Sequence, residues 1–160
     1  MIYLIMGVLG SGKTTIGKKL AKRLKCVFCD GDYYHSKSSK AKMRKGIPLT
    51  DKDRRSWLFA IRSVIDLDLA CEWNSVVACS ALKEKYRKVL IGPRKNIKLI
   101  YLKGTPEIIK QRIRKRRGHF ANPSLLANQF ETLEEPKDAL VIDIRMPPDE
   151  IVDKIIAEAK

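Results

Sequence analysis

Ile2-Tyr3-Leu4-Ile5-Met6-Gly7-Val8-Leu9-Gly10-Ser11-Gly12-Lys13-Thr14-Thr15 decides how the rest of this chain is read. A short apolar run meets a glycine, and Gly7-x4-Gly12-Lys13-Thr14 has the spacing of a phosphate-binding loop. Beyond it Ile16, Leu20 and Leu24 recur at helical intervals, so the pattern predicts strand, glycine loop and helix in succession. Glycines let consecutive N–H groups turn toward a phosphate, and a helix beginning near Lys13 adds the positive end of its dipole. Gly7, Val8, Leu9, Gly10, Ser11, Gly12, Lys13, Thr14 and Thr15 are therefore the expected nucleotide-binding residues. Lys13 is expected on the β- and γ-phosphates of ATP, and the Thr14 hydroxyl on Mg2+.

Working outward, Val27–Cys29 reads as a second buried strand that ends in Asp30-Gly31-Asp32, and Val76–Cys79 as a third that ends in Ser80. Ile97–Leu102 and Leu140–Ile144 complete five candidates, each followed by polar or helical sequence. Buried strands alternating with amphipathic helices predict an α/β fold, a parallel sheet covered on both faces in three α/β/α layers. Ligands then belong at the carboxyl ends of the strands. Roughly forty residues separate the second and third strands, more than the dozen a simple crossover needs. This insertion, about 33–73, is where acceptor selection is expected. Thr50 is read as the N-cap of a helix with Asp53 three residues on. Trp57, Leu58, Ile61, Val64 and Ile65 form that helix's buried stripe, with Arg54 on the same side.

The 160 residues, 44% of them hydrophobic, suit one P-loop domain over 1–160. No apolar run approaches the roughly 20 residues of a membrane span and no signal peptide precedes the first strand, so a cytoplasmic protein without a membrane partner is expected. Thirty-three Lys and Arg against eighteen Asp and Glu give +15, a surplus that suits anionic partners, phosphorylated metabolites or nucleic acid. Nucleic acid is the weaker reading, because the basic runs contain almost no aromatics on which bases could stack. The four cysteines read as reduced thiols, and Cys26-Val27-Phe28-Cys29 lies in a strand where residues three apart face opposite ways.

Two carboxylates at the end of the second strand suit two tasks in phosphoryl transfer. Asp30 is assigned to the metal and Asp32, further out, to the acceptor hydroxyl as base. Val76-Val77-Ala78-Cys79 runs into Ser80 rather than a second aspartate, which leaves the metal to Asp30. Lys83, Tyr86 and Arg87 follow the third strand at i, i+3 and i+4 and could grip an oxyacid. Arg112 and Arg116 lie one turn apart before Gly118-His119-Phe120 and could close over a nucleotide, with Arg116 stabilising the moving phosphoryl group. His35 and His119 are candidates for hydrogen bonds to the acceptor.

Longer blocks carry a resemblance. Asp30-Gly31-Asp32-Tyr33-Tyr34-His35 is followed by Lys42-Met43-x2-Gly46-Ile47-Pro48-Leu49-x-Asp51-x-Asp53-Arg54-x2-Trp57-Leu58 and by Cys79-Ser80-Ala81-Leu82-Lys83-x2-Tyr86-Arg87. Tyr101-Leu102-Lys103-Gly104, Gly118-His119-Phe120 and Gln129-Phe130-Glu131-Thr132-Leu133-Glu134-x-Pro136 come later. With these blocks the chain resembles the short P-loop gluconokinases, which phosphorylate D-gluconate to 6-phosphogluconate. The resemblance implies a nucleoside-monophosphate-kinase-like fold with strand order 2-3-1-4-5, a lid about 112–124 and a homodimer. It also puts His35, Arg54, Lys83, Tyr86 and Arg87 on the gluconate side and Arg112 and Arg116 in the lid. Ser39, Ile91 and Ala121 depart from residues common in the family. Asp-Gly-Asp after the second strand also occurs in adenylylsulfate kinases, so another acceptor, such as adenylylsulfate or shikimate, is the alternative enzyme; the Lys42–Leu58 block favours gluconate.

Overall fold

Leu4, Ile5 and Met6 have no exposed surface at all, so the strand they form needs cover on both faces, and the order of elements supplies it. In the computed structural model, which describes residues 1–115 and 123–158, five parallel strands lie in the order β2-β3-β1-β4-β5. They are β1 (Ile2–Met6), β2 (Val27–Asp30), β3 (Ser75–Ala78), β4 (Ile97–Lys103) and β5 (Leu140–Asp143). The helices are α1 (Lys13–Leu24), α2 (Lys37–Arg44), α3 (Asp51–Ala70), α4 (Glu84–Leu90), α5 (Pro106–Lys115), α6 (Pro123–Thr132) and α7 (Pro148–Glu158). Two apolar clusters form, one on each face. Ile5, Ile16, Leu20, Ile100 and Val152 meet beneath α1 and α7, while Leu4, Trp57, Ile61, Val77 and Tyr101 meet beneath α3 and α4.

β2 departs from its expected burial. Val27 is 62% exposed, because β2 pairs only with β3 and forms the edge of the sheet. An apolar run marks a strand, but its place in the sheet follows from pairings distant in sequence. The two cysteines flanking β2 do part company: Cys26 packs with the α1 side and Cys29 with the α3 side.

Segment 33–73 carries α2 and α3. The Thr50 side chain accepts from the Asp53 amide, and the Asp53 carboxylate accepts from the Thr50 amide, a reciprocal cap that starts α3. Trp57, Leu58, Ile61 and Ile65 are buried, with Val64 half-buried beside them. The described part of α5 runs to Lys115, and Arg116, His119 and most of the expected lid lie outside the described residues. Among the described residues no helix is long and apolar enough to cross a membrane.

Candidate active site

β1 delivers the chain into the glycine loop, and the loop's shape depends on residues without side chains. Gly7 has φ 148°, and a Cβ there would stand 2.7 Å from the Ser11 hydroxyl and 2.9 Å from the Leu102 carbonyl. Gly12, at φ 100°, is the N-cap of α1. Only glycine takes these conformations readily. The Lys13 ammonium lies inside the loop, donating to the carbonyl oxygens of Gly7 and Val8 at 3.0 and 2.9 Å. The Ser11 hydroxyl is buried without a hydrogen-bond partner. Leu9 is tied from outside the loop, its N–H donating to Gln129 Oε1 on α6 at 2.6 Å. Ser11, Gly12, Thr15, Arg112 and Met146 line a cavity of about 250 Å³ beside α1. Arg112 enters it from α5 and donates to the Ile144 carbonyl after β5.

Next to the loop, β2 ends in Asp30-Gly31-Asp32. Asp30 accepts from the Thr14 hydroxyl at 3.0 Å and from the Asp32 amide at 3.1 Å, so one carboxylate joins α1 to the single helical turn Gly31–Tyr34. Gly31 presses on β3, where a Cβ would stand 2.7 Å from the Ala78 carbonyl. Its own carbonyl accepts from the Trp57 indole at 2.7 Å. Asp32 keeps 73% of its side-chain exposure, yet the walls of the cleft displace enough water to raise its carboxyl above the ordinary value. The Lys13 ammonium opposes that rise and the Asp30 carboxylate adds to it.

α3 and α4 build the facing wall. Trp57 stacks on His35 with ring centroids 4.3 Å apart and 12° between planes. His35 Nε2 stands 3.9 Å from Asp32 Oδ1, and its Nδ1 is buried without a partner. Burial, then the Arg54 and Lys40 charges, push its pKa down to about 4, so the ring is neutral at physiological pH. Arg54, half-buried, donates to the Leu49 carbonyl and lies 5.7 Å from the centre of the Tyr86 ring. The Tyr86 hydroxyl and Lys85 both donate to Asp51, with Lys83 at 3.5 Å from the same carboxylate. Burial, then the bond to Asp51, raise the Tyr86 pKa to about 12.

Arg54 and Lys83 are thus brought together on the Tyr86 ring, with Arg54 close enough to His35 to oppose its charge. Arg87 is placed differently: it is buried and donates to the carbonyls of Ala81 and Leu82 at 3.1 and 3.0 Å. Burial lowers its pKa, against the charges of Glu134 and Glu84.

The thermoresistant gluconokinase of Escherichia coli (strain K12) is 40% identical over 163 residues, covering 99% of this chain and 93% of the relative. The chain belongs to the gluconokinase family. The broader family description that matches, over residues 9–160, is shikimate kinase. The crystal structure of a sugar kinase from Janibacter sp. HTCC2649 has a TM-score of 0.90 at 39% identity, covering 98% of this chain and 92% of that chain. A gluconokinase from Sinorhizobium meliloti 1021 has 0.87 at 39%, covering 97% and 89%.

Within this gluconokinase frame, four residues that the sequence pattern left out of the site hold it together: Asp51, Trp57, Gln129 and Glu134. Trp57 read as core, although a buried indole N–H needs a partner and that need was a usable signal. Asp51, Gln129 and Glu134 had only their places in the family blocks, since their partners are distant in sequence. Of the three departures, Ser39 is buried at the start of α2, its Oγ accepting from Ser36 Oγ at 3.0 Å. Ile91 is the residue on which α4 ends, and Ala121 lies outside the described residues. A cavity of about 660 Å³ beside β5 offers a phosphate little. Its lining is mainly apolar, and Lys103 and Arg145 are already paired with Glu135 and Asp143.

Proposed function

We propose that this chain transfers the γ-phosphoryl group of ATP to the terminal hydroxyl of D-gluconate, giving 6-phospho-D-gluconate and ADP. The observation that carries this reading is the convergence of Arg54 and Lys83 on the Tyr86 ring, with Arg54 close enough to weigh on His35, which stands 3.9 Å from Asp32, and Asp32 in turn within reach of the Lys13 charge of the phosphate loop. A sugar acid has a carboxylate at one end and a primary hydroxyl at the other, and this cleft offers cations to the first and a base to the second. The relatives named gluconokinase support the same acceptor. His35 and Arg87 line and brace the acceptor side, the neutral imidazole holding its Nε2 3.9 Å from Asp32.

In the reaction Asp32 takes the hydroxyl proton as the substrate oxygen attacks the γ-phosphorus in line, and the bond to the β-phosphate oxygen breaks. A carboxyl above its ordinary pKa is the stronger base for that proton. Lys13 leaves the Gly7 and Val8 carbonyls for the β- and γ-phosphates and follows the charge onto ADP. Arg112 holds the nucleotide side, and we assign Arg116 and His119, outside the described residues, to the lid that closes over both ligands. Magnesium, when bound, neutralises phosphate charge. The Thr14 hydroxyl and Asp30 carboxylate are hard oxygen donors of the kind that would hold it. By likeness to the family, we read the working form as a cytoplasmic homodimer.

A coupled ADP-release assay across gluconate, shikimate, adenylylsulfate and nucleoside monophosphates tests the acceptor. Gluconate should be preferred in kcat/KM by at least about 100-fold, the discrimination expected of a site whose polar groups need a matching partner. Turnover with another acceptor and none with gluconate would overturn the reading. Asp32→Asn should lower kcat by about 10²–10⁴ with ATP still bound, and near-normal turnover would sink the base assignment.

A further inference from the structure

The end of α6 touches both substrate sites. Gln129 accepts the Leu9 N–H of the phosphate loop at 2.6 Å. The donor is a backbone amide, so the acceptor must be the side-chain oxygen, and the amide orientation is settled by chemistry. Five residues on, the Glu134 N–H donates to the Leu82 carbonyl at 2.9 Å, and Glu134 Oε2 accepts from the Glu84 N–H at 2.6 Å. Those contacts fall where α4 begins. The Lys83 side chain makes no cap there, so a first-turn amide of α4 is satisfied by a carboxylate fifty residues downstream. Leu133, immediately before Glu134, packs against the apolar clusters on both faces of the sheet. The link from Leu9 to α4 is therefore short and anchored in packed side chains.

We infer that Gln129 and Glu134 are positioning residues, and that the segment between them couples the nucleotide site to the acceptor site. Leu9 belongs to the loop that must close around phosphate, and α4 carries Tyr86 and Arg87 with Lys83 at its cap. A phosphate that fixes the Leu9 peptide fixes Gln129, and through Leu133 and Glu134 it sets the start of α4. Coupling of this kind is reciprocal, so an acceptor held on α4 steadies the Leu9 peptide in return. The inference rests on the reading of α4 as the acceptor side. The measurement that decides it, amide hydrogen exchange, needs no acceptor.

Amide hydrogen exchange is measured on the full chain with and without a non-hydrolysable ATP analogue. In the wild type the analogue should slow exchange at the amides of Glu84, Lys85 and Tyr86 severalfold, as well as at the loop. Gln129→Ala should still bind the analogue, with KM for ATP raised about three- to tenfold for one lost hydrogen bond, and should lose the protection at α4. If that variant folds poorly, Gln129→Asn, one methylene too short to reach Leu9, gives the same reading. Glu134→Ala should raise KM for the acceptor with little change in KM for ATP, and Glu134→Gln, which keeps an acceptor oxygen, should restore most of it. Two exchange results overturn the inference: no nucleotide-dependent protection at α4 in the wild type, or protection that survives in both Gln129 variants. Absence of gluconate turnover in the wild type would instead count against the function proposed above, with the exchange result still readable.

Discussion

His35 shows how a single side chain can be set by what surrounds it. Its ring lies against Trp57 and is held from solvent, with two cations close enough to oppose a positive charge. The folded state therefore keeps the imidazole neutral down to about pH 4, while the unfolded chain protonates it near 6.5. Between those values the unfolded state binds more protons, so stability falls as pH drops through that window. The whole effect is worth at most about 3.5 kcal/mol, since a tenfold change in proton affinity corresponds to about 1.4 kcal/mol. Denaturant midpoints at stepped pH should fall from pH 7 toward pH 4.5 in the wild type and fall less steeply in His35→Gln. Equal slopes in the two proteins would show that His35 is not held neutral, as would a ring that titrates near 6.5 by NMR.

Among the elements, α3 does most to set the acceptor side, because it carries Asp51, Arg54 and Trp57 in its first two turns. Its start depends on Thr50 and Asp53, and Asp53 also accepts both short bonds from Lys42 of α2. Thr50→Ala removes the cap acceptor and should cost about 1 kcal/mol, a fall in Tm of about 2–4 °C for a chain of this size. Thr50→Ser should recover most of it; an unchanged melting temperature in Thr50→Ala would mean that tertiary packing alone holds the helix end. This cap was legible in the sequence because its two partners sit three residues apart. So were the five strands, the α1 stripe and the glycine loop, all set by local pattern. The exposure of Val27 and the partners of Asp51 were not, since each depends on an element far along the chain. Arg87 was legible only in part: helical spacing put it beside Lys83 and Tyr86, and the fold adds that its guanidinium donates to the Ala81 and Leu82 carbonyls.

The strand order, expected only from family resemblance, is the one observed, because periodicity marks strands without ordering them. Net charge is the opposite case, plain in the sequence at +15 and given meaning only by where the cations fall. Lys13, Arg54, Lys83, Lys85 and Arg112 stand around the cleft, with Asp51 drawing Lys83 and Lys85 into place. Both substrates of the proposed reaction are anions, so the surplus should raise their local concentration at the cleft. Salt shortens the reach of that field, from about 10 Å at 0.1 M to about 3 Å at 1 M. KM for gluconate should therefore rise severalfold between low and high sodium chloride while kcat changes little, because groups in contact with bound substrate are screened much less than groups that attract it from solution. An uncharged crowding solute at matched osmolality should leave KM unchanged. If KM is indifferent to salt, the charge does not serve substrate capture, and a salt-sensitive shift of RNA or DNA on a mobility gel becomes the measurement that would give it another purpose.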